Sequence, residues 1–416
     1  MQGNPTALYS KTLPATPPPV FDYADVLKAI RSFPKGTAAG ASGFRAQHLV
    51  DAYADPSKQD RESVLVPMAE VCTLLAAGKA PANAAPWIAS APIFPLKKKQ
   101  GGIRPIAVGE VFRRLVSKLV LSSEGMQERI DKCLREVGQY GVRVKGGADA
   151  IIQAIRMWMA DPTKKGQVAI KFDFENAFNS IDRNAVRGEL EEGFPGLLHW
   201  YDFCYAAPAN LFCQNKLLPF GSVQGVQQGD PLGPLLFALG IRKVCKCIKE
   251  TWQKEQDRFK ERTGGSAPDD NPPGSPPSSS KLDALRIISL WYLDDGIGMG
   301  PKEEVRRALD IVAEEAQRVG LRLNLAKCEV WSEDAAAVAD FPAEITRCTA
   351  EGFELLGVGI GTRELCERIL DKRVTKIAES LIQLQPAFRQ AGHVRHFDRL
   401  ILKDLLDHWQ SVCHVG

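Results

Sequence analysis

An α+β fold with a largely antiparallel sheet is what this sequence predicts, and three stretches predict it. "QVAIKFDF" (167–174) is a short β-rich run that ends at a carboxylate, Asp173. "LRIISLWYLDDGIGMG" (285–300) is an apolar run, an acidic turn and a second apolar run, the pattern of strand, turn and strand. "GPKEEVRRALDIVAEEAQRVG" (300–320) carries Val305, Leu309, Val312, Ala316 and Val319 at helical spacing. Strand, helices, strand–turn–strand, helix and strand in that order form an α+β pattern.

Each element has its local reason. Asp-Gly between apolar runs is a hairpin signal, so "YLDDG" places Asp294 and Asp295 at a turn on the edge of a sheet. Pro301 stands near a helix start, Glu303 and Glu304 fall in the first turn, and Gly320 closes the helix. "LRLNLAKCEVW" (321–331) alternates Leu321, Leu323 and Leu325 against polar or small residues, as a half-buried strand does. Residues 261–280, "ERTGGSAPDDNPPGSPPSSS", have almost nothing to bury. They read as a flexible insert, spanning about 255–283, that interrupts a domain, since the strand after it needs partners from before it.

A chain of 416 residues has room for two or three subdomains. No run of about 18 apolar residues suggests a membrane span. The N-terminus, "MQGNPTALYSKTLPATPPPV", lacks a signal peptide's apolar core and reads as the start of a loose leader over residues 1–32. Ten cysteines without a CxxC pair argue against a disulfide scaffold and a zinc site, and for the nucleus or cytoplasm. "HVRH" with His408, Cys413 and His414 fits no zinc spacing. The net charge of +3 says little, but its distribution says more. Lys97, Lys98, Lys99, Arg104, Arg113, Arg114 and Lys118 are opposed only by Glu110, which suits either a solvated face or a surface for phosphates.

Two neighbouring carboxylates resist ionising together unless a cation is present. Hard divalent ions bind through one or two carboxylates plus substrate phosphates. Asp173, like the doublet, terminates an apolar run, and if those two strands are neighbours, Asp173, Asp294 and Asp295 meet on one rim. Such a rim suits two metal ions about 4 Å apart and in-line displacement at phosphorus.

The chain resembles a reverse transcriptase of the non-LTR retrotransposon type. The blocks that carry the resemblance run in the family's order over roughly 33–360. "FPKGTAAGASGFRAQHL" (33–49) is similar to the segment ahead of the fingers, "PLKKKQGGIRPIAVGEVFRRL" (95–115) to the fingers hairpin, and "QYGVRVKGGADAIIQAI" (139–155) to the next block. "FDFENAFNSIDR", "GVQQGDPLGPLLFALGI" (225–241), "YLDD", "GLRLNLAKCE" and "FELLGVGIG" (353–361) complete the set.

What the resemblance implies is a right-hand polymerase. Fingers with an N-terminal extension span 33–165, a palm with part of the fingers 166–360, and a short helical thumb-like segment 361–416. Asp173, Asp294 and Asp295 become the catalytic, metal-binding aspartates, with two Mg²⁺ ions and Mn²⁺ as a substitute. Phe178 becomes the ring beneath the incoming sugar, selecting deoxynucleotides; the alternative is a core position. Gln228 and Gly229 line the nucleotide site, while Asp230 and Pro231 also suit a helix start. Lys97 and Arg104 flank a hairpin turned by "QGG" and would grip the triphosphate, with Lys98 or Lys99 able to take the lysine's part. Lys327 is a candidate general acid toward pyrophosphate, or an ordinary exposed lysine. Leu355, Leu356 and Gly357 fall in the primer grip. The implied partners are an RNA template, a DNA or RNA primer and dNTPs, without a membrane. A polymerase core that binds nucleic acid without extending it is one alternative. An RNA-directed RNA polymerase is another, against which Phe178 and Leu-Asp-Asp stand.

Overall fold

The computed structural model describes residues 16–54, 62–97, 103–251 and 287–390. The insert expected at about 255–283 lies outside the described residues, as do the tip of the basic hairpin (98–102) and the His- and Cys-bearing tail.

Helix α1 (Tyr23–Arg31) begins with a reciprocal cap, in which Asp22 accepts from the Asp25 N–H at 2.8 Å and Asp25 accepts from that of Asp22 at 3.2 Å. Its Val26, Ala29 and Ile30 are buried. The loose leader expected through residue 32 therefore does not extend over these residues, because an amphipathic face here has a partner. That partner is α3 (Glu62–Ala76), reached after α2 (Ala46–Ala54).

After α4 (Ala85–Ile88), β1 (Ala91–Lys97) and β2 (Ile103–Ala107) pair antiparallel, with Lys97 opposite Ile103 and Leu96 opposite Arg104. Three helices follow: α5 (Val111–Leu121), α6 (Met126–Arg135) and α7 (Gly147–Ala160). β3 (Val168–Phe172) then leads into α8 (Ala177–Ser180), α9 (Arg183–Gly193) and α10 (Leu198–Tyr205). β4 (Leu211–Cys213) and β5 (Lys216–Leu217) return to the first hairpin, giving the sheet order β2-β1-β4-β5. The buried helix α11 (Gly233–Gly240) and a helix over 242–251 close this half.

The second sheet holds the opening motifs. β6 (Ile288–Tyr292) and β7 (Asp295–Gly300) form a hairpin, and β8 (Glu329–Trp331) and β9 (Thr346–Arg347) complete the order β6-β7-β3-β8-β9. All its pairings are antiparallel except β8 with β9. The pleat of β3 divides its side chains between two cores. Val168, Ile170 and Phe172 join the larger one with the helices, while Ala169 joins Ile297, Met299 and Trp331 beneath α7. The helix Lys302–Arg318 forms as its apolar spacing predicts, with Val305, Leu309, Val312 and Ala316 buried.

Two local expectations change. The alternating stretch 321–331 is not one strand: Leu321 and Leu323 are buried, but Leu325–Lys327 is a 3-10 turn and β8 starts only at Glu329. The hairpin of β6 and β7 turns at Leu293 and Asp294, not at Asp-Gly, because Tyr292 pairs with Asp295. Gly296 has another task. A Cβ there would lie 2.2 Å from the ring of Trp291, which crosses the glycine and stacks on Phe172 at 5.6 Å.

Finally, β10 (Gly352–Leu355) and β11 (Val358–Gly361) form a separate hairpin, and the helix Arg363–Gln390 follows.

Candidate active site

Asp173 directly follows β3, and Asp295 opens β7. Those strands are antiparallel neighbours, with Phe172 opposite Gly296, so Asp173 and Asp295 leave the sheet at the same end and Asp294 sits in the adjoining turn. All three are half-buried. The backbone below them is tied down, since the Asp173 carbonyl accepts from the Asn324 N–H at 2.9 Å.

The donor set is one of hard oxygen ligands. Cys328 brings its thiol to 3.9 Å from the Asp173 carbonyl oxygen, and burial pushes its pKa up to about 11. Among the described residues, no group of three or more His, Cys, Asp and Glu side chains is placed to hold a metal ion by itself. Carboxylates on neighbouring strand ends repel until a cation joins them, and for an ion such as Mg²⁺ the substrate phosphates and water supply the remaining ligands. The residues fit a divalent ion shared with substrate better than a permanent structural site.

Phe178, on α8, is half-buried and stacks on Phe237 of α11 with ring centroids 4.4 Å apart. Its carbonyl accepts from the Val226 N–H at 2.8 Å, and a Cβ on Gly225 would come within 2.5 Å of that same oxygen. The loop before α11 is thus pressed against the turn carrying Phe178. In that loop Gln228 is half-buried and Gly229 exposed. Gly229 does permit close backbone approach, to the protein itself: a Cβ would stand 2.3 Å from the Ala107 carbonyl oxygen of β2.

The expected helix start at Asp230-Pro231 is displaced. α11 begins at Gly233, and although Asp230 Oδ1 accepts from the Leu232 N–H at 3.0 Å, Oδ2 is bonded by Arg113 Nε at 3.0 Å. Arg113 is fully buried, and a buried guanidinium needs a carboxylate more than a helix needs its cap. Burial opposes its charge, but its interactions with Tyr205 and Asp230 more than offset this and hold its pKa above the ordinary arginine value. Burial, and then the nearby Asp230 charge, raise the Tyr205 pKa, keeping its hydroxyl protonated as a donor to Asp230 at 3.3 Å.

Arg183, also buried, donates to the carbonyls of Gly225 and Tyr205 at 2.9 and 3.1 Å. Gln227, beside Gln228, is buried and donates to the Ala89 carbonyl at 3.2 Å. Sequence reading assigned no role to Arg183, Tyr205 or Gln227 and saw Arg113 only as part of a basic block. "FRRL" inside an apolar helix pattern was the available signal.

The basic hairpin is confirmed as a backbone feature, with Lys97 and Arg104 on its paired strands; Lys98 and Lys99 lie outside the described residues. Lys327 is exposed on the 3-10 turn that starts after Asn324, and not on a strand as expected. Leu355 is buried, and Leu356 and Gly357 form the two-residue turn between β10 and β11 with φ of +49° and +80°. This hairpin is tied to the aspartates' strand, for Lys171 of β3 donates to the Glu354 carbonyl at 3.3 Å and pairs with Glu329 at 3.4 Å.

An antiparallel sheet that delivers three carboxylates to one end, a glycine-bearing loop beside an aromatic turn, and a second hairpin on the same strand together define the palm of a template-directed polymerase. The family model described as "Reverse transcriptase (RNA-dependent DNA polymerase)" matches residues 96–360. The chain belongs to this family, as the resemblance of its motifs implied. The "Retrotransposable element SLACS 132 kDa protein" of Trypanosoma brucei gambiense is 24% identical over 316 residues, covering 74% of this chain and 23% of that one. The chain spans about a quarter of the length of that curated relative. Apo telomerase from Candida Tropicalis matches at a TM-score of 0.41 and 14% identity, over 67% of this chain and 48% of that one. A form of it truncated from the C-terminal domain matches at 0.39 and 14%, over 67% and 54%. Membership of the family implies a divalent metal and a nucleic-acid template and primer.

Proposed function

We propose that the chain is an RNA-directed DNA polymerase of a non-LTR-type retroelement, adding deoxynucleotides to a primer 3′-hydroxyl. The observation that carries this is the pairing of β3 with β7, which brings Asp173 beside Asp294 and Asp295 within the family match. Those aspartates would hold two Mg²⁺ ions, for which Mn²⁺ can substitute. Bound there, the ions would lower the primer hydroxyl's pKa and neutralise the leaving pyrophosphate.

The protein's own groups do the rest. Phe178, set rigidly on Phe237, presents a ring where a ribose 2′-hydroxyl would clash. Gln228 orients the base or sugar, while Gly229 lets its loop lie flat on β2. Lys97 and Arg104 offset the triphosphate charge. Lys327 donates a proton to pyrophosphate. Leu355, Leu356 and Gly357 steady the primer end. In domain terms, 33–165 supplies extension and fingers, 166–360 the palm with part of the fingers, and 361–416 a thumb-like segment. Nucleus or cytoplasm is the proposed location. The described cysteines are all free, and among the described residues no helix is long and apolar enough to cross a membrane.

Primer extension on a short RNA template with dNTPs and Mg²⁺ tests this directly, beside Asp294→Ala/Asp295→Ala. Extension by the natural chain and loss of at least about 10³-fold in the variant are expected. Equal extension by both would sink the assignment of the doublet.

A further inference from the structure

Leu293 stands where a two-residue hairpin favours glycine. Tyr292 pairs with Asp295, so Leu293 and Asp294 are the whole loop, and Leu293 has φ of +56°. A branched side chain at positive φ is strained and persists only where its surroundings over-determine it.

Here the surroundings centre on one buried amide. Gln139 is 0% exposed. Its Oε1 accepts from the Leu293 N–H at 2.7 Å, and its Nε2 donates to the Leu293 carbonyl at 3.1 Å. The same Oε1 accepts from the Gly141 N–H at 3.0 Å, which settles which way the amide faces. The segment bearing Gln139 is itself fastened along β6: Tyr140 N–H donates to the Trp291 carbonyl at 2.7 Å, and Trp291 N–H to that of Gly138 at 2.9 Å. The approach is close enough to require glycines, since a Cβ on Gly138 would sit 2.6 Å from the Ser289 carbonyl oxygen and one on Gly141 2.5 Å from Leu293 N.

We infer that Gln139 is a positioning residue for the catalytic doublet: by bonding both backbone polar groups of Leu293, it holds the strained turn that aims Asp294 and sets Asp295 beside Asp173. The inference rests on the polymerase reading of those aspartates. An amide that merely filled its own hydrogen bonds would have no reason to meet both sides of the one strained residue next to the carboxylates. Gln139 lies 154 positions from Leu293 in sequence, so only the fold brings them together.

Gln139→Met keeps the side-chain length and removes both bonds. Leu293→Gly removes the strain those bonds hold. Four proteins, natural, each single variant and the double, are compared well below their Tm for kcat, KM for dNTP and primer–template affinity. Gln139→Met should lose about 10- to 100-fold in kcat, with KM and duplex affinity changed less than about twofold. In the Leu293→Gly background the same substitution should cost at least about fivefold less. No loss, or the same fractional loss in both backgrounds, would overturn the inference.

Hydrogen exchange without substrates separates this from the function itself. Gln139→Met should speed exchange in peptides covering 288–296 and leave those covering 168–172 unchanged. If the natural chain does not extend primers, the polymerase reading fails and this readout alone decides whether Gln139 holds the turn; unchanged exchange at 288–296 overturns it. Should Gln139→Met not fold, Gly141→Ala presses on Leu293 from the same side and must reproduce the faster exchange, or the inference is wrong.

Discussion

Gly296 shows how much one residue can decide. In the sequence it completes "DDG" and reads as a turn glycine, yet the turn lies before it and its missing Cβ is filled by the Trp291 ring. Gly296→Ala forces that ring off Phe172 and should destabilise the fold by about 1–3 kcal/mol, an overpacking cost readable from urea unfolding. Phe178 is a second case. Its stack on Phe237 fixes the ring but leaves it half-buried, as the proposed sugar contact requires. Phe178→Ala should lower discrimination against rNTPs by about tenfold or more, measured as the ratio of kcat/KM values. An unchanged ratio would return Phe178 to the core.

Among elements, the loop before α11 is held from several helices at once. Arg113 from α5, Tyr205 from α10 and Arg183 from α9 converge on it, and Asp230 closes the network at 3.0 Å from Arg113. Breaking this pair by Arg113→Met should cost about 3–5 kcal/mol, because a buried carboxylate loses its guanidinium counter-charge; adding Asp230→Leu should recover part of that loss. Denaturant midpoints of the single and double variants check it, and additive losses would deny the coupling. The β10–β11 hairpin packs Phe353, Leu355 and Ile360 into the second core, and Lys171 ties its Glu354 carbonyl to β3. Lys171→Ala should weaken primer–template affinity several-fold at unchanged KM for dNTP.

For the whole molecule, binding of primer–template should follow phosphate contacts. A footprint of six or more lysine and arginine contacts implies that affinity falls by about 10³ or more between 50 and 200 mM salt. Flat salt dependence in a filter-binding or anisotropy titration would rule out an electrostatic groove.

The α+β class, the helix Lys302–Arg318 and the three aspartates were legible in the sequence because each rests on local pattern: apolar period, turn chemistry and ordered motifs. The exact turn at Leu293 and the 3-10 break at Leu325–Lys327 were not, since tertiary pairing overrides short-range alternation there. Nor was α1, whose apolar face has meaning only once α3 lies against it. By itself, the sequence singled out the groups on which the proposed chemistry rests: Asp173, Asp294 and Asp295, an aromatic at Phe178 and an amide at Gln228. The tertiary structure alone decided what holds them, namely Gln139 on the Leu293 turn and Arg113 with Tyr205 on Asp230. The reason is physical. A reactive side chain advertises itself by type, whereas a buried support is defined by the partner it satisfies, and that partner stands more than a hundred positions away for Gln139 and Arg113.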